Sequence, residues 1–173
     1  MTTYTIPEFS TDRLLLRAPK LADLPRVTEF FASERSHIVG GPLNAREASR
    51  AMMQIYGMWA LRGHSFWYIA DKATDIFLGW TGIINGPAWD EPELGWTVVE
   101  EAEGKSIAFE AATAARAYAA TQLGYDGVIS YIAPQNSRSA TLAKRLGASF
   151  EREGELLGHD VHVYRHPKVG AAA

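Results

Sequence analysis

ELGWTVVEEAEGKSIAFEAATAARAY, residues 93–118, changes its hydrophobic period midway. Leu94, Trp96 and Val98 alternate with Gly95, Thr97 and Val99, the period-2 pattern of a β-strand. Glu100 to Lys105 is polar and contains Gly104. From Ile107 the spacing is helical: Ile107, Ala108, Ala111, Ala112, Ala115, Tyr118 and Ala119 share one face. A strand that enters a helix through a glycine turn aims several unpaired main-chain N–H groups at one place, and the helix dipole adds partial positive charge there. The stretch therefore predicts an anion site built from backbone, suited to a phosphate-bearing ligand.

Outward from this unit, Leu14–Leu16 between Arg13 and Arg17 reads as a compact apolar strand closed by Pro19. Leu21, Leu24, Val27, Phe30 and Phe31 follow helical spacing over 21–33. Asn44 with Glu47 three residues on marks a second helix start, which Gly63 ends. Strands follow at 66–70, 77–84 and 94–99, then the long helix over about 105–122. A strand at 128–133, a short helix at 136–146 stopped by Gly147, and strands at 150–157 and 161–165 complete the order β-α-α-β-β-β-α-β-α-β-β. The strand–helix–strand unit over 94–132 is long enough for a parallel right-handed crossover, so the sheet is expected to be mixed. One domain over 1–168 is expected, with 169–173, VGAAA, as a disordered tail.

The totals restrict the function. The 173 residues suffice for one core, and 47% hydrophobic with 21% charged residues is ordinary for a soluble globular chain. A net charge of −3 offers no global attraction to nucleic acid. The absence of cysteine excludes disulfides, thiolate metal sites and a cysteine nucleophile. MTTYTIPEF has no signal-peptide pattern and no apolar run approaches membrane-spanning length, so a cytoplasmic protein without membrane partners is expected. His159, Asp160 and His162 lack a third strong ligand, and no metal is expected.

The words TDRLLLRAPKLADL, ELGWTV, GKSIAFEA and APQNSRSATLAKRLGASFEREG, in that order over most of the chain, resemble the Gcn5-related N-acetyltransferase (GNAT) superfamily. Within it they are most similar to the branch that acetylates the N-termini of ribosomal proteins. The resemblance implies an α+β acyl-CoA N-acyltransferase fold, with a central twisted mixed sheet of six to seven strands and about four helices. It implies acetyl-CoA as cosubstrate and transfer to a primary amine, either a small molecule or a protein N-terminus. The pantetheine arm would lie along strand 94–99, with Thr97, Val98 and Val99 as main-chain partners, as in strand addition. The pyrophosphate would sit on Gly104, Lys105, Ser106, Ile107 and Ala108. Asn136 and Ser139 would meet the arm and the sulfur, and Ser139 is the candidate for protonating the leaving thiolate. Ala143 stands where many relatives place a tyrosine acid. Glu93, at the head of the strand, is the candidate general base. Trp89, Asp90 and Glu93 are the candidate acceptor contacts, and Lys105, Arg138 and Lys144 could meet phosphates. A homodimer is a further expectation.

The turn departs from the family's usual Gln/Arg-x-x-Gly-x-Gly/Ala. Glu103 stands for the polar or basic residue and Ser106 for the first glycine. Ser106 brings a Cβ to a position that favours positive φ, and Glu103 brings negative charge beside the phosphates. Lys105 supplies a cation and the Ser106 hydroxyl a donor. A coenzyme-binding sensor or regulatory module without catalysis is the alternative this turn leaves open.

Overall fold

The computed structural model describes residues 4–170. One mixed sheet of eight strands runs in the order β1-β2-β3-β4-β5-β6-β8-β7. The strands are β1 (Phe9–Ser10), β2 (Leu14–Arg17), β3 (Phe66–Asp71), β4 (Phe77–Ile84), β5 (Glu93–Val98), β6 (Ile129–Ile132), β7 (Ser149–Leu156) and β8 (His159–Arg165). The helices are α1 (Leu24–Ala32), α2 (Ala45–Arg62), α3 (Ile107–Gln122) and α4 (Ser137–Arg145). The sheet exceeds the expected strand number because Phe9 and Ser10, ahead of the first expected strand, pair antiparallel with Leu16 and Leu15. The connection between α1 and α2 holds a 3-10 turn over Glu34–Val39. Val169, placed in the tail, donates its N–H to Asp126 Oδ1 at 2.9 Å, and residues 171–173 lie outside the described part.

Alternating side chains carry the two sheet faces to different helices. Trp80 of β4 meets Phe30 and Phe31 of α1, with ring centroids 5.1 and 5.6 Å away. Trp67 of β3 meets Tyr118 of α3 at 5.4 Å and Trp59 of α2 at 4.7 Å. Ile107, Ala111, Ala112, Ala115 and Ala119 of α3 are buried, as their spacing predicts. Their small side chains let the helix lie close over β2, β4 and β5. Arg17 and Asp23, 1% and 4% exposed, form a bidentate ion pair at 2.9 and 2.8 Å that ties β2 to the head of α1.

One joint in the sheet differs from the rest. All neighbours but one pair antiparallel; β5 and β6 are parallel and match at a single position, Glu93 opposite Ile129. Beyond it the two strands part. β4, by contrast, pairs with β5 over its full length from Ile84–Glu93 to Gly79–Val98.

Candidate active site

The cleft opens where β5 leaves β6. Backbone groups along a strand point alternately to its two neighbours. Ile129 N–H donates to Pro92 C=O on the β6 side, and Val99 N–H donates to Leu78 C=O on the β4 side. Trp96 and Val98 therefore present their main-chain groups to the cleft, while Thr97 and Val99 turn theirs to β4. Val99 C=O is also taken, by Ala102 N–H at 3.0 Å. Of the three expected main-chain partners only Val98 faces the gap, and Trp96 joins it. The alternation is legible in the sequence, but its phase is set by the strand pairing.

Glu93 lies at the fork, with 9% of its surface exposed. Trp89 Nε1–H donates to its Oε2 at 2.6 Å, and Tyr131 N–H reaches its Oε1 at 3.4 Å. Burial disfavours the charged carboxylate, and these two hydrogen bonds offset only part of that cost; the pKa is pushed up to about 7. A carboxyl group with that pKa takes a proton readily at neutral pH and can release it again. Trp89, expected as an exposed acceptor contact, is half-buried instead because its indole N–H is held by Glu93. Asp90 is exposed, 3.7 Å from Arg152. Glu91 is bound in fork geometry by Arg165 at 2.6 and 2.8 Å, which holds its pKa below the usual range.

The turn between β5 and α3 runs through a short 3-10 segment, Glu100–Ala102, and α3 begins at Ile107 rather than near Lys105. Ser106 is the reason. It caps the helix with φ 59°, ψ 19°, a left-handed conformation that cannot be helical, and Gly104 also has positive φ, 69°. Serine thus takes the glycine-like conformation despite its Cβ, at a cost of about 1–2 kcal/mol. The N–H groups of Gly104 to Ala108 have no acceptor among the described residues. They lie at the N-terminus of a sixteen-residue helix. Lys105 is exposed, and its carbonyl accepts from both terminal nitrogens of Arg13 at 3.2 Å.

The head of α4 closes the other side. Asn136 Oδ1 accepts Ser139 N–H at 3.1 Å, an ordinary N-cap, and the Ser139 side chain is half-buried. Ala143 is fully buried, and its methyl group offers no acid there. Two contacts join α4 to the turn. Arg138 Nη1 lies 3.0 Å from both Glu103 oxygens, and Arg145 Nη2 lies 3.5 Å from Ser106 Oγ. Arg35, after α1, pairs with Glu103 as well. The negative charge that Glu103 adds is therefore met by two arginines. Arg35, Arg145, Tyr131 and Ser130 were not singled out in the sequence; nothing in their spacing separates them from surface cations and strand filler. Lys144 is exposed on α4. Among the described residues no three His, Cys, Asp or Glu are grouped to hold a metal ion.

Residues 13–149 match the family model described as Acetyltransferase (GNAT) domain. Over 156 residues the chain is 26% identical to the [ribosomal protein uS5]-alanine N-acetyltransferase of Escherichia coli K12, covering 84% of this chain and 78% of that one. An acetyltransferase structure from Agrobacterium tumefaciens superposes with a TM-score of 0.85 at 35% identity, over 97% of this chain and 98% of that one. A GnaT-family acetyltransferase described as putative, from Bordetella pertussis, gives 0.74 at 28% identity, over 92% and 99%.

Proposed function

Since the chain belongs to the GNAT acetyltransferase family and transfers acetyl from acetyl-CoA to an amine, we propose that its acceptor is the α-amino group of a protein or peptide. We propose Glu93 as the base that deprotonates it. The buried carboxyl group at the fork carries this reading, with its pKa of about 7. The relative that acts on a ribosomal protein alanine supports the acceptor class. Exposed Asp90 at the rim suits an incoming ammonium group.

An ammonium group has no lone pair, so the acceptor must lose a proton before it attacks. Glu93, as carboxylate, takes that proton directly or through a water. The nitrogen then bonds to the thioester carbon, and the carbonyl electrons move to oxygen. One main-chain N–H on the cleft side of β5, that of Trp96, is the donor for this oxyanion. As the carbonyl re-forms the C–S bond breaks. The thiolate, with a pKa near that of a cysteine thiol, about 8.5, takes the proton that the acylated nitrogen gives up, relayed by the Ser139 hydroxyl or by water. The pantetheine amides pair with Val98 and Trp96. The phosphates rest on the N–H groups of Gly104, Lys105, Ser106, Ile107 and Ala108, with Lys105, Arg138 and Arg145 around them and Asn136 at the arm. Holding the nitrogen about 3–3.5 Å from the carbon supplies much of the rate.

The alternative of a non-catalytic coenzyme module rests on Glu103 and Ser106. Glu103 is countered by Arg35 and Arg138, and Ser106 takes the φ that glycine would. Release of free thiol from acetyl-CoA, measured over a panel of peptides with free α-amino groups and small amines, tests the proposal. Turnover with peptides well above that with small amines is expected. Preference for a small amine overturns the acceptor class, and no turnover with tight acetyl-CoA binding by calorimetry favours the module.

A further inference from the structure

At the fork, one ladder hydrogen bond is replaced by two side-chain bonds. Ile129 N–H still donates to Pro92 C=O at 3.2 Å. Two residues on, a continuous parallel ladder would join Tyr131 N–H to Leu94 C=O. Instead Leu94 C=O accepts the Ser130 hydroxyl at 2.6 Å, and Tyr131 N–H turns to Glu93 Oε1 at 3.4 Å. Each half of the missing bond is thus capped by a side chain of the opposite strand.

Ser130 is 2% exposed and is itself held. Its Oγ lies 3.0 Å from Nε2 of His166, which is 1% exposed. On the far side of the ring, Arg116 Nη1 donates to His166 Nδ1 at 3.3 Å and to Leu146 C=O at 2.7 Å. A guanidinium can only donate, so Nδ1 is the acceptor and Nε2 carries the proton. Ser130 Oγ therefore accepts from His166, and its own proton is directed to Leu94 C=O. Donation runs one way, from Arg116 in α3 through His166 and Ser130 to β5. Burial, then the Arg116 charge, holds the His166 pKa down at about 4, so the ring is neutral near pH 7.

We propose that Ser130, oriented by His166 and Arg116, is a positioning residue that keeps β5 and β6 apart and so reserves Tyr131 N–H for Glu93. The inference rests on Glu93 as the base of the preceding section. Without the hydroxyl, Leu94 C=O is a buried acceptor lacking its donor, a costly state. The donor next along the ladder is Tyr131 N–H. Once Leu94 takes it, the fork closes by one step and the Glu93 carboxylate loses one of its two hydrogen bonds. Its pKa then rises further. The groups facing Glu93 are Trp89 and Tyr131, and Tyr131 in turn faces Asp90 and Arg152; His166 faces Arg116 and the Trp96 ring. Removing the Ser130 hydroxyl changes the charge of none of them.

Ser130→Ala, Ser130→Thr and Glu93→Gln, each checked by circular dichroism, test this. The Glu93 carboxyl is titrated by carbon-13 NMR, assigned by its absence in Glu93→Gln, and KM for acetyl-CoA is measured alongside kcat. In Ser130→Ala the Glu93 titration is expected to rise by roughly half to one unit, with a several-fold higher KM for acetyl-CoA. Ser130→Thr, which keeps the hydroxyl, is expected to restore both. If Ser130→Ala does not fold, Ser130→Cys, a weaker donor, is expected to show a smaller rise. An unchanged Glu93 titration in a folded Ser130→Ala or Ser130→Cys protein overturns the proposal. That outcome is independent of the base assignment, which fails separately if Glu93→Gln keeps full turnover.

Discussion

The indole N–H of Trp89 donates to Glu93 Oε2 at 2.6 Å, so the aromatic residue of the 85–92 loop is fixed by the carboxyl group it covers. The bond favours the charged carboxylate against the burial that penalises it. Trp89→Phe keeps the apolar cover and removes the donor. A hydrogen bond to a charged group is worth about 1.5–3 kcal/mol. The acid limb of the kcat/KM profile is therefore expected to move up by roughly one unit or more, with little change in the plateau rate above it. An unmoved limb would show that the titrating base is not Glu93.

Glu93→Gln removes the proton acceptor but keeps the shape. A fall in kcat of roughly 10²–10⁴-fold is expected, the usual contribution of a positioned base, with acetyl-CoA affinity unchanged by calorimetry. A matching loss of affinity would mean that the side chain serves binding.

The same carboxyl group couples stability to pH. Its folded pKa of about 7 lies above the ordinary 4.5. Between those values the folded state holds a proton that the unfolded state has released, so stability falls as pH rises through this window and levels off above it. The integrated cost at alkaline pH is about 3 kcal/mol. Glu93→Gln is expected to lose this slope, so that thermal unfolding of the variant gains on the parent at pH 8 relative to pH 5. Parallel curves from pH 5 to 8 would place Glu93 in a more solvated setting.

Glu103 holds Arg35 and Arg138 beside the α3 N-terminus. Any phosphate bound there competes with it for both arginines. Glu103→Gln is expected to tighten acetyl-CoA binding by about 2–5-fold, in line with partly exposed ion pairs worth up to about 1 kcal/mol. The binding should also grow more sensitive to salt. Weaker binding in this variant would mean that Glu103 organises the arginines for the ligand.

Ser106 at φ 59° separates backbone demand from side-chain chemistry. Ser106→Gly is expected to leave thermal stability equal or slightly higher. Ser106→Val, with a branched Cβ in the left-handed region, is expected to cost about 2 kcal/mol. Equal melting temperatures for the two variants would show that the turn relaxes away from positive φ.

Much of this was readable in the chain. The alternation over 94–99 and the helical spacing from Ile107 set the two elements that bound the site, and Gly104 marked the turn between them. Asn44 with Glu47 gave the start of α2, where the structure shows the full reciprocal cap. Asn136 gave the start of α4. These features are local: each depends on side-chain spacing or on a cap within one turn of chain. The short β1 escapes a sequence reading because two residues carry no period, and α3 starts two residues later than its spacing suggests because Ser106 takes the left-handed conformation.

The sequence by itself determined seven of the eight strands, the four helices and their order along the chain, and it pointed to a main-chain anion site at the head of α3. It also named Glu93. Only the tertiary structure decided that Trp96 and Val98, rather than Thr97 and Val99, face the cleft, because strand phase is set by the neighbour. It alone joined Ser130 to His166, 36 positions away, and Arg138 to Glu103, 35 away. Those pairings cross strands and helices with no fixed spacing. The burial that lifts Glu93 to neutral pH belongs to the folded fork, since a carboxylate is desolvated only when other parts of the chain close over it.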